Sequence, residues 1–165
     1  FRSEASAPAT LMTTGEQQQL RETLSALETA LAADTDLHTV VLYGSGARGR
    51  LRGPGELESD VDVAVAADEE LSLERRLNLA AKLATELRRE VDVVDIRRMH
   101  GLILREILSA GRFIRKQQPD FVAEKALEMY DYEVFLEPAL RAAREARIRR
   151  VIHGGDRRAV TETGV

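Results

Sequence analysis

Three features of the 165-residue sequence predict an α/β fold with a C-terminal helical extension. Apolar, β-branched runs at Thr39–Tyr43, Asp60–Ala66 and Val91–Ile96 read as strands. Between them leucine and alanine recur at helical spacing. Beyond Pro119 the pattern is helical to about Ile152, interrupted only by Pro138.

The composition bounds the possibilities. Apolar residues make up 44% and charged residues 32%, an ordinary globular balance, and the length suffices for one domain with a real core. A net charge of −4 argues against a general nucleic-acid binder, so no direct nucleic-acid partner is expected. The absence of cysteine excludes a disulfide framework and thiolate metal sites. No apolar run approaches membrane-spanning length, so no membrane partner is expected. Phe1–Gly15 lacks the continuous apolar core of a secretory signal, and a cytoplasmic location is the expectation.

In order, the small, polar segment Phe1–Thr13 reads as a disordered tail. Thr14 opens the first helix, with Gln17 as a capping-box partner, and Leu20, Leu24, Leu27 and Leu31 form its core stripe to about Ala33. Asp34–Leu37 leads into the first strand. After the second strand, Asp68-Glu69-Glu70 gives an acidic approach to a helix whose buried face is Leu73, Leu77, Ala80, Ala84 and Leu87. Arg97–Gly111 reads as a shorter helix with Leu104, Ile107 and Leu108 inward and Gly111 as its C′ cap. Arg112–Arg115 reads as an edge strand whose arginines discourage further pairing. In the C-terminal segment, Val122, Ala126, Met129 and Tyr130 give a helical face, Pro138 predicts a kink or break, and Gly154-Gly155 an end.

The chemistry centres on Gly44–Asp62. Gly44-Ser45 follows the first strand, where a glycine admits close backbone approach and the Ser45 hydroxyl and nearby N–H groups suit phosphate oxygens. Asp60 and Asp62 share one face of the second strand, while Val61, Val63 and Val65 take the other. Two adjacent carboxylates with no intervening cation repel each other, and Mg²⁺, which takes carboxylate and phosphate oxygens, relieves that repulsion. Each signal alone reads more simply: Gly44-Ser45 as an ordinary turn, Asp60-x-Asp62 as a solvated strand end. Together, with an aspartate on the later strand, they read as a site for metal-assisted chemistry on a nucleoside triphosphate. On that later strand Asp92 and Asp95 face opposite ways, so only one of them joins. Arg48 suits either a phosphate or solvent.

Other features read plainly. Tyr43 packs in or beside its strand. His38, His100 and His153 have no ligand spacing and read as isolated surface or loop residues. Tyr130, Tyr132 and Phe135 suit a core or, second, a partner surface. The arginines between 141 and 150 read as a solvated helix face, with a partner surface second.

Gly44-Ser45, Arg48-Gly49 and Ser59-Asp60-Val61-Asp62 resemble the signature of the DNA polymerase β-like nucleotidyltransferases, and the small size resembles their minimal (MNT) branch. The connector between Ser45 and Asp60 is a few residues longer than that pattern, an excess that falls in Leu51–Glu58 around Gly53-Pro54-Gly55. The Val-Asp-x-Val strand, the Leu-Arg-Glu-Ile-Leu…Gly helix end and the Tyr-x-x-x-x-Phe segment before Pro138 extend the likeness to MNT-domain antitoxins encoded with HEPN-domain toxins. That resemblance implies a small mixed sheet flanked by helices. It selects Asp92 as the third acidic residue, leaving Asp95 as a cap. It further implies catalytic and metal-binding roles for Asp60, Asp62 and Asp92, nucleotide-binding roles for Gly44, Ser45 and Arg48, Mg²⁺ as cofactor, ATP as substrate, and AMP transfer to a tyrosine of the cognate HEPN ribonuclease. The implied layout is a disordered tail at 1–14, a nucleotidyltransferase domain at 15–117, a helical extension at 118–153 and a frayed tail at 154–165. Two alternatives stand beside it: an antitoxin that neutralises by binding alone, and a small-molecule (aminoglycoside-type) nucleotidyltransferase, a class that usually carries a larger second domain to hold the drug, for which this chain is expected to be too short.

Overall fold

The computed structural model describes residues 12–51 and 60–154. Expectations for the N-terminal tail up to residue 11, the turn around Gly53-Pro54-Gly55 and the segment after Gly154 lie outside the described residues. Contact density divides the chain into two compact units, one through Val122 and one from Ala123 onward.

In the first unit, helix α1 (Thr14–Ala30) opens with a capping box one residue earlier than expected. Thr13 is the N-cap, its hydroxyl accepting from the Glu16 N–H at 3.2 Å, while the Glu16 carboxylate accepts from the Thr13 N–H at 2.7 Å. Both threonines suit the position, but Glu16, a full anion near the helix N-terminus, outcompetes Gln17. The expected leucine stripe holds: Leu27 and Leu31 are fully buried, and Leu20 and Leu24 pack against the core.

Strands β1 (Leu37–Tyr43), β2 (Val61–Ala67), β3 (Val91–Asp95) and β4 (Arg112–Lys116) form one mixed sheet in the order β3-β2-β1-β4. β1 runs antiparallel to β2 and β4, and β2 parallel to β3. The parallel pair needs a crossover, supplied by helix α3 (Leu73–Leu87). All seven residues of β1 are buried, as a central strand covered on both faces must be. His38 is therefore buried rather than at the surface; its Nδ1 lies 2.8 Å from Thr39 Oγ1 and its ring meets Phe121 edge-on at 5.0 Å.

The core on one face joins Leu27, Leu31, Val40, Leu42, Val61, Val63, Val65, Leu79, Leu83 and Val93. Each fully buried leucine or valine contributes about 1.5–3 kcal/mol. α3 turns inward only part of the predicted face: Ala80 and Leu87 pack against the core as expected, but the N-terminal leucines of that face do not. Leu79 and Leu83 are buried, whereas Leu73 and Leu77 are each 60% exposed. Two apolar stripes overlap on this helix, and the Ser72 cap fixes its rotation: the Ser72 hydroxyl accepts from the Arg75 N–H at 3.1 Å. The acidic run Asp68–Glu70 precedes the cap and lies outside the helix.

After β3, a 3-10 turn (Ile96–Arg98) leads to helix α4 (Gly101–Ala110), which packs on β1 with Leu104 and Ile107 buried. Gly111 is not a left-handed cap; its φ is −68°. It is needed for close approach, since a Cβ there would collide with the Ile107 carbonyl and the Val41 side chain. β4 is the expected edge strand. Its Arg115 does more than repel: it donates to the carbonyls of Leu31 (3.0 Å), Asp34 (2.6 Å) and Leu37 (2.8 Å), satisfying the end of α1 and the loop into β1.

Helix α5 (Pro119–Asp131) crosses the boundary between the units. In the second unit a π-helical stretch, Tyr132–Leu136, continues directly into α6 (Glu137–Gly154). The break expected at Pro138 is replaced by this wider turn, which absorbs the missing proline N–H without ending the helix. Tyr130 and Phe135 are 58% and 70% exposed, so the core role expected for them is not realised. α6 is exposed from residue 138 to 152, with Arg141 paired to Glu137 and Arg149 to Glu145.

Candidate active site

The sheet order and register bring the predicted carboxylates together. Asp62 is the register partner of Asp92 on β3 and of Tyr43 on β1, so the three side chains form one row across the sheet. Adjacent strands lie about 4.8 Å apart, which makes the two carboxylates nearest neighbours. Asp60 sits just before β2, exposed, and adds a third negative charge acting on Asp62. Val61, Val63 and Val65 face the core, as the alternation requires.

Asp92 is the aspartate of β3 that joins the row. Asp95 faces the opposite way, fully buried, and caps: its carboxylate accepts from the N–H of Leu71 at 2.7 Å and of Arg97 at 2.9 Å. These bonds tie the approach to α3 onto the end of β3 and fix the strand that carries Asp92.

Gly44 and Ser45 open a four-residue helical turn, α2 (Gly44–Ala47), directly after Tyr43. Gly44 has φ +66°, and a Cβ there would collide with the Asp62 carboxylate. Only glycine lets the β1 end turn over this carboxylate. Arg48 caps the turn and reaches α4, where both terminal guanidinium nitrogens lie 3.3 Å from Glu106 Oε1. The connector beyond is pinned to α1. Gly49, at φ +65°, lies against the Glu16 backbone, Arg50 pairs with Glu16 at 2.8 Å, and Gln19 bonds both backbone groups of Leu51 at 2.9 Å.

The electrostatics follow from this crowding. Burial, and then the charges of Asp92, Asp60 and Glu106, hold the Asp62 carboxyl above its ordinary value, with Arg48 opposing. Burial, and then Asp62, Asp92 and Glu106, push the Tyr43 phenol up as well, so it stays protonated. Glu106 is thus a member of the site that sequence reading did not assign. The Leu-Arg-Glu-Ile-Leu run contains it, but only the packing of α4 beside α2 brings it to Arg48.

The donor set is all oxygen and strongly negative, which suits a hard cation such as Mg²⁺. Among the described residues no three ligating side chains are already drawn into a metal cage. Such an open arrangement is what Mg²⁺ uses when one or two carboxylates share it with substrate phosphates.

Residues 25–120 match the family model for the polymerase beta nucleotidyltransferase domain. The chain belongs to the polymerase β nucleotidyltransferase family. Within it, 98 residues are 31% identical to the protein adenylyltransferase MntA of Shewanella oneidensis, covering 58% of this chain and 68% of that protein. Among solved structures, a toxin–antitoxin with AMP-PNP is similar at 29% identity and a TM-score of 0.59, over 78% of this chain and 98% of the other. A complex of tri-AMPylated Shewanella oneidensis HEPN toxin with MNT antitoxin is similar at 27% identity and a TM-score of 0.51, over 83% and 98%. The mixed four-stranded sheet flanked by helices is therefore the nucleotidyltransferase fold, and the chain is a nucleotidyltransferase. No helix among the described residues is long and apolar enough to cross a membrane.

Proposed function

We propose that this nucleotidyltransferase is the antitoxin of a HEPN/MNT pair and transfers AMP from ATP to a tyrosine of its cognate HEPN ribonuclease, silencing it. The observation that carries the reading is the in-register Asp62–Asp92 pair beside the Gly44-Ser45 turn. The likeness to MntA and to toxin–antitoxin complexes, one holding AMP-PNP and one a tri-AMPylated toxin, supports the donor, the reaction and the partner.

Asp60, Asp62 and Asp92 would hold Mg²⁺. When bound, the metal supplies Lewis-acid stabilisation of the charge developing on the entering and leaving oxygens. Gly44 and Ser45 offer the backbone turn and hydroxyl that orient the triphosphate, and Arg48 adds a guanidinium. Asp92, on the outer strand, accepts the proton of the attacking hydroxyl. The oxygen–phosphorus bond to the acceptor forms at the α-phosphorus, the bond from it to the bridging oxygen of the β-phosphate breaks, and pyrophosphate departs with that electron pair. No covalent protein nucleophile is needed.

A second reading, neutralisation by binding alone, draws on the open carboxylate geometry and on the exposed Tyr130, Val134 and Phe135 of the C-terminal unit. The Asp60→Ala/Asp62→Ala double variant separates the two when assayed against the toxin's ribonuclease activity. An enzyme loses neutralisation while still forming the complex; a binder keeps both.

A further inference from the structure

Tyr43 belongs to the carboxylate row, yet the proposed transfer gives its phenol no task. It pairs in register with Asp62, as Asp62 does with Asp92, so the three side chains leave the same face of the sheet. Helix α4 covers that face of β1: Val41, two residues back on the same side, lies against Gly111 where α4 ends. The Tyr43 ring is accordingly enclosed, and the residue is only 6% exposed.

The hydroxyl is the exception to that enclosure. A buried tyrosine ordinarily gives its O–H a protein partner. This one makes no hydrogen bond to any described residue. Among the described residues the fully enclosed polar side-chain atoms without a partner are His38 Nε2 and Arg76 Nε; the Tyr43 oxygen is not one of them, so it reaches solvent. The charges of Asp62, Asp92 and Glu106 all act on the phenol, but none of these carboxylates takes its hydrogen bond. A phenol carries its proton at neutral pH and can donate it. The row thus ends, on the β1 side, in a neutral donor with no protein acceptor. A phenol also reaches farther from its Cα than an aspartate carboxylate does, which suits it to a ligand resting over the carboxylates.

We infer that Tyr43 is a further substrate-contacting residue, whose hydroxyl donates to a non-bridging oxygen of the α-phosphate and orients the phosphorus for attack. The α-phosphate is the group that the carboxylate row serves in the proposed transfer, while Gly44, Ser45 and Arg48 lie past the end of β1 and serve the rest of the triphosphate. A neutral donor suits the place. It gives a charged oxygen a hydrogen bond without forming the ion pair with Asp62 or Asp92 that an arginine or lysine would form there. The proton stays on the phenol throughout, and Asp92 remains free to take the proton of the attacking hydroxyl. The inference rests on the nucleotide chemistry of the proposed function but not on the identity of the acceptor.

The test compares the intact wild type with Tyr43→Phe, which keeps the ring and removes only the oxygen. AMP-PNP is titrated calorimetrically in magnesium buffer with no acceptor present, and phosphorus NMR is recorded on the bound nucleotide. Tyr43→Phe should bind AMP-PNP about tenfold more weakly, the loss of one hydrogen bond to a charged group. The α-phosphorus resonance should move between the two proteins while the β and γ resonances stay in place. The melting temperature should not fall, because no protein group loses a partner. Unchanged affinity, or an α resonance that does not move, would overturn the inference. So would a shift of all three resonances alike, since the hydroxyl would then act on the triphosphate only indirectly. A clearly less stable Tyr43→Phe protein would overturn it too, by showing that the hydroxyl has a partner within the fold. A wild type that does not bind AMP-PNP would defeat the donor reading and this inference with it. Failure of the acceptor reading leaves these measurements unaffected and is visible separately as an unmodified toxin.

Discussion

Asp62 and Asp92 face each other in register across the parallel β2–β3 pair, with Asp60, Glu106 and the phenol of Tyr43 around them. A fold does not gather like charges for its own stability. Because the folded state holds the Asp62 proton more tightly than the unfolded chain does, ionising Asp62 costs stability. That cost is absent below the unfolded carboxylate pKa, where Asp62 is protonated in both states. It grows as pH rises toward the raised folded value and is complete above it. Asp62→Asn should therefore melt at a higher temperature than the wild type at pH 7, with the gap closing as pH falls through the carboxylate range. Thermal melts of both proteins across pH check this; a less stable variant at neutral pH would contradict it.

The same repulsion predicts how the protein responds to magnesium. A cation that binds the folded state alone raises its stability in proportion to the logarithm of its concentration. Melting temperature should rise with Mg²⁺ in the wild type and stay flat in the Asp60→Ala/Asp62→Ala variant. Equal responses would place the ion elsewhere.

Gly44→Ala combines two defects. A left-handed backbone costs an L-residue about 1–2 kcal/mol, and the new Cβ displaces the Asp62 carboxylate it would strike. Denaturant melts should show that loss, and transferase activity should fall far more than stability does. A variant with full activity would mean that Asp62 has freedom to move.

Glu106→Gln should leave stability within about 1 kcal/mol, because its partner Arg48 is half exposed and such pairs are weak. Its effect belongs in catalysis: removing the charge frees Arg48 and relieves Asp62, so KM for ATP changes while the melt does not. An unchanged KM would make Glu106 a surface residue.

Arg115→Ala should destabilise by about 2–3 kcal/mol, since three backbone carbonyls lose a charged donor together. Chemical denaturation measures it. A neutral substitution would show that water replaces the guanidinium there.

The strands were legible because β-branched runs have few other conformations, and the shared face of Asp60 and Asp62 was legible because side chains alternate along a strand; alternation left Asp92 and Asp95 open, and only the family resemblance selected Asp92. Which leucines of α3 are buried was not legible, because Leu73-Leu77 and Leu79-Leu83 are both apolar at helical spacing and only tertiary packing selects between them. Arg115 read as an edge charge because its three carbonyl partners lie between 78 and 84 residues away in the chain. Glu106 reaches the site for the same kind of reason, 58 residues from Arg48. Pro138 signalled a broken helix, and the π turn that spares it has no pattern of its own.

The central claim is that the cluster of Asp60, Asp62 and Asp92 moves AMP onto a partner protein. Intact-mass spectrometry of the cognate HEPN toxin, after incubation with this protein, ATP and Mg²⁺, tests it most directly. The account predicts a gain of one or more AMP masses on the toxin, absent with the Asp60→Ala/Asp62→Ala variant. An unmodified toxin held in a stable complex would contradict it and identify a protein that neutralises by contact alone.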